Sequence, residues 1–294
     1  MLEEMTAVEG ERVWNLEPPE NWPSRGHIKL KNVTASYEPG SVALRNLSLD
    51  VSAGQKLIVC GRTGSGKSTL LLSLLRLLEL ESSQIELDGI DIRHVRLDLL
   101  RRRCFVAVSQ EPLVLPNENL RFNLDPDASM PDDVLVAALN KAGLWSHFFE
   151  GHTYSGGEPA PTLNISGSGR HPILDKKVSL FRKLSVGQSQ LFALCRALVK
   201  ARSLRDSGVK PVVLLDEVTS SLDPVTESTV HRIIDDEFTQ NGHTVIIVAH
   251  RFGSMEKHTT NGRDAVALMA DGQLEEVIEA LGAATFERLR QISC

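Results

Sequence analysis

Apolar residues recur along this chain in three patterns, and each predicts a different kind of element. Four runs are short and unbroken: "KLIVCG" from Lys56, "FVAVSQ" from Phe105, "PVVLLDE" from Pro211 and "TVIIVAH" from Thr244. A strand reads this way when both faces of its sheet are covered, so the four predict buried parallel strands. A second pattern alternates apolar and polar residues, in "HIKLKNVTASY", "ALRNLSLDV" and "QIELDGIDI". That is the signature of half-exposed antiparallel strands. Near the C-terminus "VALMADGQLEEV" sets Asp271-Gly272 between two apolar runs, a hairpin signal. The third pattern is helical. From about residue 115 to 183, and clearly in "DDVLVAALNKAGLWSHFF", apolar residues stand three and four apart, which predicts an inserted helical region. Its tail, "EGHTYSGGEPAPTLNISGSGRHP", is polar and rich in Gly, Ser and Pro, and predicts a long mobile surface loop over about 150–175. The fold expected is α/β, a mixed sheet core with an antiparallel β appendage and an inserted helical subdomain over about 115–200.

Each of the four unbroken runs ends in residues able to do chemistry: a Gly-rich loop, Gln110, the pair Asp216 and Glu217, and His250. Ligands of open α/β sheets gather at the carboxyl ends of strands, so these four endings are expected to converge on one crevice.

The loop after the first run is "GRTGSGKST", Gly61, Arg62, Thr63, Gly64, Ser65, Gly66, Lys67, Ser68 and Thr69. It fits G-x-x-x-x-G-K-[ST], and it stands where that motif must, after a predicted strand and before an apolar helix. Glycines let backbone N–H groups turn inward around phosphates, and the helix dipole favours their charge. Lys67 reaches the β and γ phosphates, and Ser68 ligates Mg²⁺. Asp216 is the strand-end acid suited to holding hydrated Mg²⁺, and Glu217 the second acid, suited to orienting an attacking water. The competing reading makes either one a helix cap or turn acid. His250 at its strand end is placed to bond a γ phosphate or the water, and the amide oxygen of Gln110 to ligate Mg²⁺ or sense the γ phosphate. Tyr37, one hairpin before the loop, is either a stacking partner for an adenine or a rim residue of the β core.

A second stretch, "KLSVGQSQL" from Lys183, also has phosphate-binding ingredients, with Ser185, Gly187 and Gln188 at the start of an apolar-periodic helix. On its own Ser185 reads equally as an ordinary N-cap. The similar "YSGGE" from Tyr154 leads into "PAP" rather than a helix and is set aside.

Composition narrows the partners. Lys and Arg number 32 against 38 Asp and Glu among 294 residues, a net charge of −6, which argues against binding nucleic acid by neutralising its phosphates. The one basic concentration, "RRRC" at 101–104 with Arg93 and Arg96, reads as a solvated helix face. The four cysteines, Cys60, Cys104, Cys195 and Cys294, have no metal or redox spacing and read as reduced thiols of a cytosolic setting. No apolar run reaches the roughly 18 residues of a membrane span, and the acidic N-terminus lacks the apolar core of a signal peptide.

Taken in order, Tyr37, "GRTGSGKST", Gln110, "LSVGQ", "VVLLDE", "SSLD" and His250 resemble the nucleotide-binding cassette of ATP-binding cassette (ABC) transporters, over nearly the whole chain from about Gly26. Within that superfamily "ERVWNLEPPENWPSRGHIKLKNVTASY", "FNLDP" and the signature valine look like the second cassette of subfamily C, the multidrug-resistance-associated type. The resemblance implies a RecA-like P-loop NTPase fold over 26–294, with 1–25 a linker from a transmembrane domain. It implies ATP and Mg²⁺ as ligands and ATP hydrolysis driving export from the cytoplasmic face of a membrane. Its partners would be transmembrane domains and a second cassette packed head to tail. Ser185, Gly187 and Gln188 would then face the partner's nucleotide, and Asp223 of "SSLD" would lie at the seam. Catalytic roles fall by the same resemblance on Glu217, His250, Gln110 and Lys67. Three positions depart from the family pattern: Val186 stands for the first signature glycine, Glu111 follows Gln110 where aspartate is frequent, and "LFRK" lacks the usual glycine. A soluble ABC-type ATPase switch and a P-loop kinase are the competing classes. The kinase reading lacks a visible lid and does not explain "LSVGQ".

Overall fold

The computed structural model describes residues 16–38, 40–78, 80–81, 83–149, 170–219, 222–249, 256–260 and 262–292. The unbroken apolar runs form β3 (Lys56–Gly61), β7 (Phe105–Val108), β8 (Val212–Asp216) and β9 (Val245–Val248), joined by the hairpin of β10 (Ala265–Ala270) and β11 (Gln273–Ile278). The sheet order is β11-β10-β3-β9-β8-β7, parallel throughout except for β11. Alternate residues of one strand enter different cores. Ile58, Val213, Leu215 and Ile247 pack with the helical layer, while Leu57, Val212, Leu214 and Ile246 pack with the second sheet. Both faces are covered, which is why these strands are apolar at every position.

The second sheet is antiparallel, in the order β2 (Val42–Val51), β1 (Ile28–Ser36), β5 (Gln84–Leu87), β6 (Ile90–Asp91), with β4 (Leu80–Glu81) also on β1. The stretch "QIELDGIDI" is two strands rather than one. Asp88 (φ 49) and Gly89 (φ 80) turn the chain in the left-handed region, as Asp271 (φ 48) and Gly272 (φ 76) do in the C-terminal hairpin.

Helices fill the remaining layer. α1 (Lys67–Leu74) follows β3, and the short α2 (Leu97–Leu99) runs into a wide turn at Leu100–Cys104. The insertion holds α3 (Leu120–Leu124), α4 (Asp132–Lys141) and α5 (Trp145–Phe149), which pack on α6 (Val186–Asp206); α7 (Pro224–Ile233) and α8 (Ala283–Ile292) come later. Leu135, Leu139, Phe148 and Phe192, all fully buried, make that packing. Each buried side chain of this size contributes about 1.5–3 kcal/mol.

Two boundaries move. Residues 16–25, expected as linker, already pack on the domain. Trp22 is buried with its indole N–H donating to the Leu87 carbonyl at 3.0 Å, and the Asp88 carboxylate accepts from the backbone N–H groups of Ser24, Arg25, Gly26 and His27. Most of the loop expected over 150–175 lies outside the described residues, but Pro172–Asp175 is a 3-10 turn. Ile173 and Leu174 in it are buried, and apolar burial fixes a segment whose composition reads as coil.

Candidate active site

The loop between β3 and α1 is pinned where glycine alone fits. A Cβ on Gly61 would stand 2.2 Å from the Met269 carbonyl oxygen, and one on Gly66 would stand 2.8 Å from Leu44 Cδ2. Gly66, at φ 96, is the N-cap of α1, and no side chain caps that helix, nor does any acid sit in its first turn. Its first N–H groups are left to whatever anion arrives. Ser65 is buried, with an Oγ that has no hydrogen-bond partner among the described residues. The Lys67 ammonium folds back over the loop, donating to the Gly61 carbonyl at 2.8 Å and the Arg62 carbonyl at 3.0 Å. Burial pushes the Lys67 pKa down, against the upward pull of Glu217, Cys60 and Asp216. Burial likewise holds the neighbouring Cys60 thiol up at about 12, an inert protonated thiol.

The acids meet this loop across the sheet. Ser68 Oγ donates to Asp216 Oδ1 at 3.3 Å, so the hydroxyl after the motif lysine and the strand-end carboxylate stand together. Hard oxygens of this kind suit Mg²⁺, which takes one or two protein oxygens and leaves its other positions to phosphate and water. Glu217 has φ 52, uncommon for a residue with a side chain, and its N–H donates to the Val248 carbonyl at 3.1 Å. The end of β9 therefore holds a conformation that costs about 1–3 kcal/mol. Glu217 lines a cleft of about 410 Å³ together with Gln110, Val186, Ser189, Gln190 and Leu222. Gln110 lies two residues beyond β7, and its main-chain carbonyl accepts from Gln190 Nε2. Three of the four predicted strand endings thus meet here, those of β8 and β7 as neighbours and that of β3 across the intervening β9; His250 lies outside the described residues. Tyr37 is 55% exposed, and its hydroxyl bonds Thr69 Oγ1 at 3.1 Å, which ties an open ring face to the start of α1.

The second stretch is built differently. Ser185 is the N-cap of α6 in a reciprocal capping box: its Oγ accepts from the Gln188 N–H at 3.2 Å, and Gln188 Oε1 accepts from the Ser185 N–H at 2.9 Å. Gln188 Nε2 also meets His147 Nδ1 at 3.3 Å. Asp223 caps α7, accepting from the N–H groups of Val225 and Thr226 and from the Thr226 hydroxyl. That hydroxyl bond above all holds its carboxyl below the usual range. The two helix starts touch, since a Cβ on Gly187 would stand 3.1 Å from Thr226 Cγ2. Among the described residues no hydrogen bond of Ser185 or Gln188 reaches the 61–69 loop.

Sequence reasoning passed over Gln190 and His147. Gln190 sits within an apolar helical run, and a buried polar residue there was the available signal. His147 carried none.

A Gly-rich phosphate loop at the head of a helix, with a strand-end acid pair beside it on a parallel sheet, defines a P-loop nucleoside triphosphatase of RecA-like fold. The family model described as ABC transporter matches residues 44–220. The chain belongs to the ABC transporter family, as an ATP-binding and ATP-hydrolysing cassette. It is 34% identical over 259 residues to ABC multidrug transporter B of Aspergillus fumigatus. It is 32% identical over 263 residues to ATP-binding cassette sub-family C member 3 of Homo sapiens. Each match takes in 88% of this chain but 15% of the relative, so the chain spans about a seventh of these proteins' length. A solved structure described as a bacterial Atm1-family ABC exporter with ATP bound superposes with a TM-score of 0.68 at 24% identity, over 90% of this chain and 41% of that one. No helix among the described residues is long and apolar enough to cross a membrane.

Proposed function

We propose that this chain is the second cassette of a subfamily C type exporter, working at the cytoplasmic face of a membrane by packing head to tail on another cassette while it holds ATP. The observation that carries this is the division of labour between the two phosphate-type stations. The 61–69 loop has its own acids at hand, whereas the Ser185 turn closes on itself through its capping box and, among the described residues, makes no hydrogen bond to that loop. A turn of that kind has a use when another molecule brings the nucleotide. The names of the relatives, a multidrug transporter and a sub-family C member, support the exporter reading.

In this reading Ser68 and Asp216, joined by Gln110, hold Mg²⁺, which neutralises charge on the transferring phosphoryl group when bound. The open N–H groups of α1 and Lys67 take the phosphates, Lys67 leaving the Gly61 and Arg62 carbonyls to do so. Glu217 receives a proton from the water that attacks the γ phosphorus, and the bridging oxygen departs with ADP. Tyr37 stacks on the adenine. His250 bonds the γ phosphate or the attacking water.

The test is the Glu217→Gln chain, studied with and without ATP by size-exclusion chromatography with light scattering. It is expected to bind ATP, lose most turnover and accumulate as an ATP-dependent dimer. Wild-type turnover in that variant would sink the assignment.

A further inference from the structure

Gln190 is buried at 5% exposure at the start of the second turn of α6, among residues that pack as core. A side-chain amide in that position is costly unless both of its ends are bonded. Here one end is. Nε2 donates to the main-chain carbonyl of Gln110, while Oε1 is buried and has no partner among the described residues. The residue lines the same cleft as Gln110, Glu111 and Glu217, and its unpaired Oε1 is buried behind that lining. On its helical side Gln190 is rigidly part of the capped turn: Ser189 N–H donates to the Ser185 carbonyl at 2.9 Å, and Ser185 and Gln188 close the capping box. One side chain therefore joins the peptide of Gln110, the strand end expected to meet the metal and γ phosphate, to the turn that carries Ser185.

We propose that Gln190 is a positioning residue that couples nucleotide at this chain's own loop to the presentation of its Ser185 turn. When Gln110 shifts to meet the metal and phosphate, its carbonyl carries the Gln190 amide with it. The unpaired Oε1 then gains a donor as the cleft closes around it. The half-satisfied amide is the device: fully bonded it would fix one geometry, and unbonded it would transmit nothing. This inference rests on the cassette reading, in which the Ser185 turn serves a partner's nucleotide.

Hydrogen exchange by mass spectrometry on the full chain in the Glu217→Gln, Ser185→Asp background tests it, with Mg²⁺-ATP as the probe; this background keeps the cap of α6 and is expected to hold ATP without dimerising, so protection of 183–192 is not contributed by a partner. With Gln190 present, ATP is expected to protect the 107–114 and 183–192 segments together. With Gln190→Leu, 107–114 is expected to gain protection while 183–192 does not. In the Glu217 chain the same substitution is expected to lower kcat roughly five- to tenfold, the size of one lost hydrogen bond, with KM for ATP unchanged. Should the leucine variant fail to fold, Gln190→Met keeps the length of the side chain and has no donor for the Gln110 carbonyl, and the same uncoupling is expected. Joint protection of both segments in whichever variant folds overturns the proposal and leaves the cassette reading intact. Failure of the unsubstituted chain to bind ATP overturns both.

Discussion

The 61–69 loop and the 183–191 turn share a vocabulary, Ser and Gly at the start of an apolar helix, yet they differ in what each leaves unsatisfied. At α1 the cap is a glycine with no side-chain bond, Ser65 Oγ is unpartnered among the described residues, and the lysine is parked on the loop's own carbonyls. The N–H groups that open α1 and the Ser65 hydroxyl are left for an anion entering the crevice, and Lys67 has only to leave two carbonyls to join them. At α6 the first turn closes on itself through the capping box. Among the described residues Ser185 Oγ serves only that box, as an acceptor, which leaves its O–H as a donor. A helix start can therefore be structurally complete and still carry one donor for someone else's phosphate. The general lesson is that capping and anion binding compete for the N–H groups of a helix and need not compete for the capping hydroxyl.

The largest way to break the comparison is at Glu217. Glu217→Gln removes the proton acceptor while leaving the loop and the Ser185 turn untouched, and turnover is expected to fall by about 10² to 10⁴. Steady-state phosphate release checks this, with ATP binding measured beside it and expected to persist. Lys67→Ala acts on binding instead. It takes away a charge-assisted contact, and such bonds contribute about 1.5–3 kcal/mol, so ATP affinity by calorimetry is expected to weaken by roughly ten- to a hundredfold. Affinity equal to the parent chain would mean that the lysine stays on the Gly61 and Arg62 carbonyls throughout.

Ser185→Asp separates the two roles of the second station. Aspartate caps a helix as well as serine does, so denaturant midpoints are expected to hold. A carboxylate facing a phosphate is repelled, and ATP-dependent dimerisation in the Glu217→Gln background is expected to be lost. Dimerisation that survives the aspartate would reduce Ser185 to a cap and remove the reason for calling this stretch a phosphate station.

The physics that made one part of the molecule legible in the sequence also explains what was hidden. The central sheet could be read because strands covered on both faces must be apolar at every position, as Leu57 to Cys60 and Val212 to Leu215 are. The loop could be read because Gly61 and Gly66 are demanded by contacts that a Cβ would violate. The Asp88-Gly89 turn was as readable as Asp271-Gly272, but alternation resumes at once beyond it and masked the break, although the apolar positions shift from 85 and 87 to 90 and 92. Trp22 and the Asp88 clasp on 24–27 were hidden for a different reason. They join partners more than sixty residues apart, and no local pattern records a carboxylate that gathers four backbone N–H groups from a distant segment. The bond between Gln190 and the Gln110 carbonyl, between residues 80 positions apart, was hidden in the same way.

Val186 offers the finest test. It is the first residue of α6, 65% exposed, and its side chain shares the cleft wall with Glu217 rather than the core. Val186→Gly therefore removes little packing and is expected to lower stability by about 1 kcal/mol or less, the backbone-freedom cost of glycine in a helix. If the turn serves this chain's own nucleotide, turnover at the Lys67 and Glu217 site should change. If it serves a partner's, the change should fall on the partner, where removing the branched side chain from over the nucleotide is expected to raise turnover a few-fold, on the order of 1 kcal/mol in the barrier. A reconstituted pair in which one site at a time carries the glutamate-to-glutamine change reads the two sites separately. An increase confined to the partner's site sharpens the contrast between the two stations to a single residue. No change there would mean that the valine does not govern the partner's site.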